Sequence, residues 1–167
     1  MTEVGAMNFF LAVKREDGGL CFWLFPCLGF CLIKIYLIDV DLITPPLDGT
    51  ILPGLTRAST LALAEAHSAG KITLPGVPKS LKLHTHERTL TMGEIDALST
   101  QGRILEVFGV GTAVIVAPVS RIGWKGKDIV LPVQKQGLGP IGGGMWKMIV
   151  DVQTGKVPFE DWSVVCD

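Results

Sequence analysis

Ile51-Leu52-Pro53-Gly54-Leu55-Thr56-Arg57, followed without a break by Ala58 to His67, is the stretch on which the architecture turns. Proline fixes φ and removes a backbone donor, while glycine opens conformations closed to other residues. The good helix formers from Ala58 onward then predict a helix that stops near Gly70. A turn that feeds a helix leaves the backbone N–H groups of Leu55 and Thr56 unpaired beside the positive end of the helix dipole, an anion site suited to phosphate. The plainer reading of the same residues has Thr56 capping its own helix.

Upstream, Thr44-Pro45-Pro46-Leu47-Asp48-Gly49 is turn chemistry. Before it, Met7 to Val13 is apolar and aromatic, and Lys14 to Gly19 supplies the charged, glycine-ended tip of a hairpin. A returning strand is expected there. Instead Leu20 to Val40 is almost wholly apolar, with Lys34 and Asp39 its only charged residues. Its length matches a membrane span of about 20 residues. Membrane association is the minor expectation for it.

Downstream, Lys71 to Ser80 reads as a loop punctuated by proline and glycine, and Leu81 to Thr89 as a strand with one partly polar face. Thr91-Met92-Gly93-Glu94 has the form of a capping box ahead of a short helix. Ile104 to Phe108 and Thr112 to Val119 predict two strands around a turn at Gly109-Val110-Gly111. Another strand is expected over Ile129 to Val133, a helix from Gly139-Pro140 to Gly155, and a last strand over Trp162 to Cys166. The class is mixed α/β and strand-rich, and 167 residues suffice for one domain with a sizeable core.

Composition removes several functions. With 15 Lys+Arg against 16 Asp+Glu and no basic run, the chain lacks the electrostatic footprint of a nucleic-acid binder. Cys21, Cys27, Cys31 and Cys166 form no CxxC pair, so neither a zinc site nor a disulfide framework is indicated, and a reducing compartment fits. The N-terminus shows no basic segment followed by an apolar one, as a secretory signal would. His84 and His86 would share one face of a strand, the minimum for a metal pair, but no third ligand is near in sequence and two solvated residues is the plainer reading. Gly137-Leu138-Gly139-Pro140-Ile141-Gly142 matches GxGxxG outside any βαβ context and is set aside as a dinucleotide site. No spacing supports a hydrolytic triad.

Taken in order, Thr2-Glu3-Val4-Gly5-Ala6-Met7-Asn8, Thr44 to Gly49, Ile51 to Arg57, Glu106 to Ala113, Ile122-Gly123-Trp124-Lys125-Gly126, Gly139-Pro140-Ile141, Asp151 to Gly155 and Asp161 to Val165 resemble the branched-chain amino-acid aminotransferases. That family belongs to fold type IV of the pyridoxal-phosphate enzymes, usually homodimers with a strand-rich pseudobarrel around the cofactor. The resemblance implies that residues 1–167 correspond to the C-terminal cofactor domain, interrupted at 20–40, and that the cofactor is pyridoxal 5′-phosphate. It implies that Glu3 faces the pyridine nitrogen, Leu52 packs on the ring, and Leu55 and Thr56 meet the phosphate. Gly111, Thr112 and Ala113 match the turn that meets phosphate and substrate carboxylate, and Val110 departs from the Ser or Ala common before that glycine. The implied substrates are branched-chain amino acids and 2-oxo acids, in a cytoplasmic or mitochondrial enzyme. The family's Schiff-base lysine, phosphate-binding arginine and smaller domain precede the Thr-Glu-Val-Gly motif, so this polypeptide alone is expected to be inert. Within the same fold, D-amino-acid aminotransferases and aminodeoxychorismate lyases are the alternative. A non-catalytic relic associated through Leu20 to Val40 is another.

Overall fold

The computed structural model describes residues 3–4, 7–15, 39–132 and 137–164. Its centre is β2, Met7–Lys14, an unbroken apolar run because both of its faces are covered. Phe10 and Ala12 enter one core, while Phe9, Leu11 and Val13 enter the other. Around it lie β1 (Glu3–Val4), β3 (Val40–Thr44), β4 (Leu83–Glu87), β5 (Ile104–Gly111) and β6 (Ile115–Pro118), in a six-stranded sheet of order β4-β3-β2-β5-β6 with β1 also paired to β2. All pairs are antiparallel except β3 and β4. Phe10 stands opposite Phe108 in this register, and their rings stack with centroids 5.6 Å apart.

Helix α1, Leu55–Ser68, connects the parallel pair, so β3, α1 and β4 form a βαβ unit. It is tied to β4 at both ends. Ser68 Oγ accepts from the Leu83 amide and donates to the Leu83 carbonyl, each at 2.8 Å. At the other end, Arg57 Nη2 donates to Glu87 Oε2 at 2.5 Å. Helix α3, Pro140–Gln153, shares the core on the α1 side, while α2, Met92–Thr100, and the separate hairpin of β7 (Arg121–Trp124) and β8 (Lys127–Val130) close the opposite core.

The flanks of the apolar segment do pair: Lys14 stands opposite Val40, and the Arg15 amide donates to the Asp39 carbonyl at 3.2 Å. The segment 20–40, expected to be an insertion, lies outside the described residues except for Asp39 and Val40. Among the described residues no helix is long and apolar enough to cross a membrane.

Several boundaries differ from expectation. Gly109-Val110-Gly111 is strand, not turn, because Gly109 and Val110 pair with Phe9 and Asn8 on one side and with Ala117 and Val116 on the other. The reversal falls on Thr112-Ala113-Val114, with Ile115 entering β6 at φ 62°. β7 was not anticipated; Lys125 and Gly126, both at positive φ (49° and 72°), make the tight connection to β8. Strand β8 ends at Val130 rather than Val133. Of the strand expected over Trp162 to Cys166, Val165 and Cys166 lie outside the described residues, and Trp162 to Val164 are not strand. There Glu160 turns at φ 47° and the Trp162 ring meets Phe159 edge-on at 4.7 Å. In the capping box Thr91 Oγ1 accepts from the Glu94 amide at 3.1 Å, and the Glu94 carboxylate, beside the Thr91 amide, also binds the Arg88 guanidinium.

Candidate functional site

The βαβ connection puts the N-terminus of α1 beyond the ends of β3 and β4, where α/β sheets characteristically offer a ligand its crevice. Gly54 is the N-cap, extended at φ −67° and ψ 132°, and no side chain caps the helix. Thr56 lies inside the first turn, so the self-capping reading does not hold. The first turn carries no acidic residue. Ala58 is the first amide to find a helical carbonyl, that of Gly54 at 3.1 Å. Leu52 and Leu55 beside this opening are 74% and 82% exposed.

A second helix shows what a filled terminus looks like. At α3, Glu106 Oε1 accepts from the Ile141 amide at 2.8 Å and Oε2 from the Gly142 amide at 2.9 Å. This carboxylate rises from β5, so GxGxxG at 137–142 is a helix start already served by an internal anion. Burial pushes the Glu106 carboxyl above its ordinary range, and the two N–H donors pull it back. Gly139 is needed because a Cβ there would lie 2.2 Å from Glu106 Cδ.

Asn8 ties the other anticipated residues to the open helix end. It is buried, and its Nδ2 donates to the Leu52 carbonyl at 3.1 Å. The same carbonyl accepts the Gly54 amide at 2.8 Å across Pro53. Glu3 stands opposite Asn8 on β1, and Val110, the neighbour of Gly111, stands opposite it on β5. Glu3, Leu52, Leu55 with Thr56, and Gly111 are thereby linked through one side chain and the register of three strands. Thr112 and Ala113 follow on the exposed tip beyond Gly111. Val110 is fully buried in the core shared by α1 and α3, so the branched side chain there packs rather than bonds.

Arg57 is the second residue whose role the sequence left unassigned. Its guanidinium is 3% exposed, and Nη2 donates to the Pro45 carbonyl at 2.7 Å as well as to Glu87. It fixes the first turn of α1 to the Thr-Pro-Pro segment and to β4. A cation in the first turn of a helix opposes the dipole, and an Asn inside an apolar strand must find a partner, so both residues carried a legible signal.

The histidines are occupied differently from a metal pair. His84 Nε2 lies 3.1 Å from Asp39 Oδ2, and His86 Nε2 lies 2.9 Å from Asp41 Oδ1. No group of metal-ligating side chains suited to an ion occurs among the described residues.

No protein-family model matches the chain. Individual proteins do. Over 165 residues it is 34% identical to the branched-chain-amino-acid aminotransferase of Monosiga brevicollis and 37% identical to the mitochondrial one of Schizosaccharomyces pombe. Those alignments take in 99% and 98% of this chain but 34% and 32% of the relatives. The cytosolic enzyme of Saccharomyces cerevisiae is 35% identical over 166 residues, again 36% of its length. The chain thus spans about a third of the curated relatives it matches. A solved structure of the branched-chain amino acid aminotransferase from Escherichia coli superposes with a TM-score of 0.55 at 23% identity, over 97% of this chain and 37% of that one. The shared fold is that of part of a fold type IV enzyme.

Proposed function

We propose, starting from the chain's membership of the branched-chain-amino-acid aminotransferase family, that it forms the part of such an enzyme that cradles pyridoxal 5′-phosphate. The observation that carries this reading is the open terminus of α1: a glycine N-cap, no side-chain cap and no carboxylate in the first turn, beside two exposed leucines. The residues fit the group. The amides of Leu55 and Thr56 take the phosphate, and Leu52 packs on the ring face. Glu3 keeps a proton on the pyridine nitrogen by its negative charge. When bound, the cofactor would supply an electron sink for the pair left on an amino acid's α-carbon when a base removes its proton. Gly111, Thr112 and Ala113 orient phosphate and substrate carboxylate through backbone amides.

In this reading the substrates are leucine, isoleucine and valine, with 2-oxoglutarate as amino acceptor, in a homodimer of the cytoplasm or mitochondrion. None of the chain's lysines matches the family's Schiff-base lysine by position, so the 167-residue polypeptide alone does not transaminate. Pyridoxamine 5′-phosphate tests the cradle without that lysine, because it binds non-covalently. By fluorescence titration the chain should hold it at least tenfold tighter than pyridoxamine lacking the phosphate. Leu55→Glu should lower that affinity at least tenfold by repulsion, while stabilising the helix by about 0.3–1 kcal/mol through the dipole. Equal affinity for the two amines would refute the reading, and leucine transamination by the purified chain would refute its inert part.

A further inference from the structure

We infer that Asn8 is a positioning residue that sets the distance between the ring end and the phosphate end of this site; the inference rests on the function proposed above. Three observations meet at its side chain. Its Nδ2 holds the Leu52 carbonyl at 3.1 Å, one residue before the proline of the turn into α1. Its Oδ1 occupies the space where a Cβ of residue 54 would stand, 2.3 Å away, so any larger residue at 54 would displace the Asn8 amide although the φ of −67° suits any residue. Its backbone lies between Glu3 of β1 and Val110 of β5. A side chain that touches no ligand therefore decides where Leu52 sits and how close the α1 terminus comes to the strands bearing Glu3 and Gly111. A buried amide with a single acceptor on a turn is a costly arrangement unless the turn needs to be held there.

The consequence is specific. Inorganic phosphate needs only the amides of the first turn of α1, whereas pyridoxamine 5′-phosphate must also reach the strands. Loss of Asn8 should spare the first and harm the second, because misplacement of a binding group by a fraction of an ångström forfeits preorganisation. In Asn8→Ala, the affinity of the full chain for pyridoxamine 5′-phosphate should fall about tenfold or more, and that for inorganic phosphate should stay within about twofold. Asn8→Leu keeps roughly the size but offers the Leu52 carbonyl no donor, and should behave like the alanine variant. Gly54→Ala drives a methyl into Asn8 Oδ1 and reaches the same contact from the other side, which serves if the Asn8 variants fold poorly.

Affinities for both ligands that fall together would mean Asn8 is merely structural, and affinities that do not move would mean it positions nothing. Either result overturns the inference while leaving the cradle intact. If the unsubstituted chain bound inorganic phosphate and pyridoxamine 5′-phosphate equally, the cradle itself and this inference would fall together.

Discussion

Glu106 is where burial and hydrogen bonding contend most openly. Desolvation raises its carboxyl above the ordinary glutamate value of 4.5, against the pull of the Ile141 and Gly142 amides. A carboxyl raised in the folded state contributes stability that is complete below the unfolded value and is lost as pH rises through the folded one. Chemical denaturation from pH 4 to 7 should show the wild type losing stability relative to Glu106→Gln as pH rises. Glu94 has the opposite sign. Hydrogen bonds from Arg88 depress its carboxyl, so its contribution is present above the unfolded value and is lost as pH falls. At this scale the sequence was informative about backbone chemistry and silent about side-chain partners. The glycine turn at 54 marked a helix start, though the plainer reading had Thr56 capping it, and nothing local to Asn8 or Arg57 named Leu52, Pro45 or Glu87, which lie 44, 12 and 30 residues away. Such partners depend on strand register, which no single segment encodes.

Elements with strong periodicity or clear punctuation were legible. Helix α1 ends before Gly70 at φ 75°, and α3 begins with proline and ends before Gly155 at φ 69°. The parallel pairing of β3 with β4 was not, because alternation along a strand carries no sign of its neighbour's direction. Nor was the extension of β5 through two glycines, which read as a turn until β2 and β6 flank Gly109 and β6 pairs with Gly111. Within α3 three consecutive glycines have different reasons to be there. A Cβ on Gly143 would meet only Leu138 Cβ at 3.9 Å, so Gly143→Ala should stabilise the helix by up to about 1 kcal/mol. A Cβ on Gly144 would lie 2.8 Å from the Pro75 carbonyl oxygen and 3.0 Å from Val77 Cγ2. Gly144→Ala should therefore cost roughly 1–3 kcal/mol. Thermal melts of the two variants, moving in opposite directions, would verify that α3 packs against the 74–77 loop as described.

For the molecule as a whole, the pairing of its flanks predicts that the fold does not require the apolar segment between β2 and β3. Because Lys14 pairs with Val40 and Arg15 bonds to Asp39, Asn-Gly placed between Arg15 and Asp39 closes the hairpin with a two-residue turn. A chain so joined should keep cooperative unfolding and gain solubility, and loss of the cooperative transition would show that the segment supports the core. The central position of β2 has a further consequence at this scale. Its side chains are buried from both faces, yet its closure against β5 brings together Lys14 and Arg103, 89 residues apart. At a synthesis rate of about 5–20 residues per second, a nascent chain carries Phe9 to Val13 for roughly 4 to 18 s before β5 exists to cover them. Each ribosome translating this message thus holds out a sticky, half-made sheet, and yield in the cell should follow the supply of chaperones able to shield it during that wait.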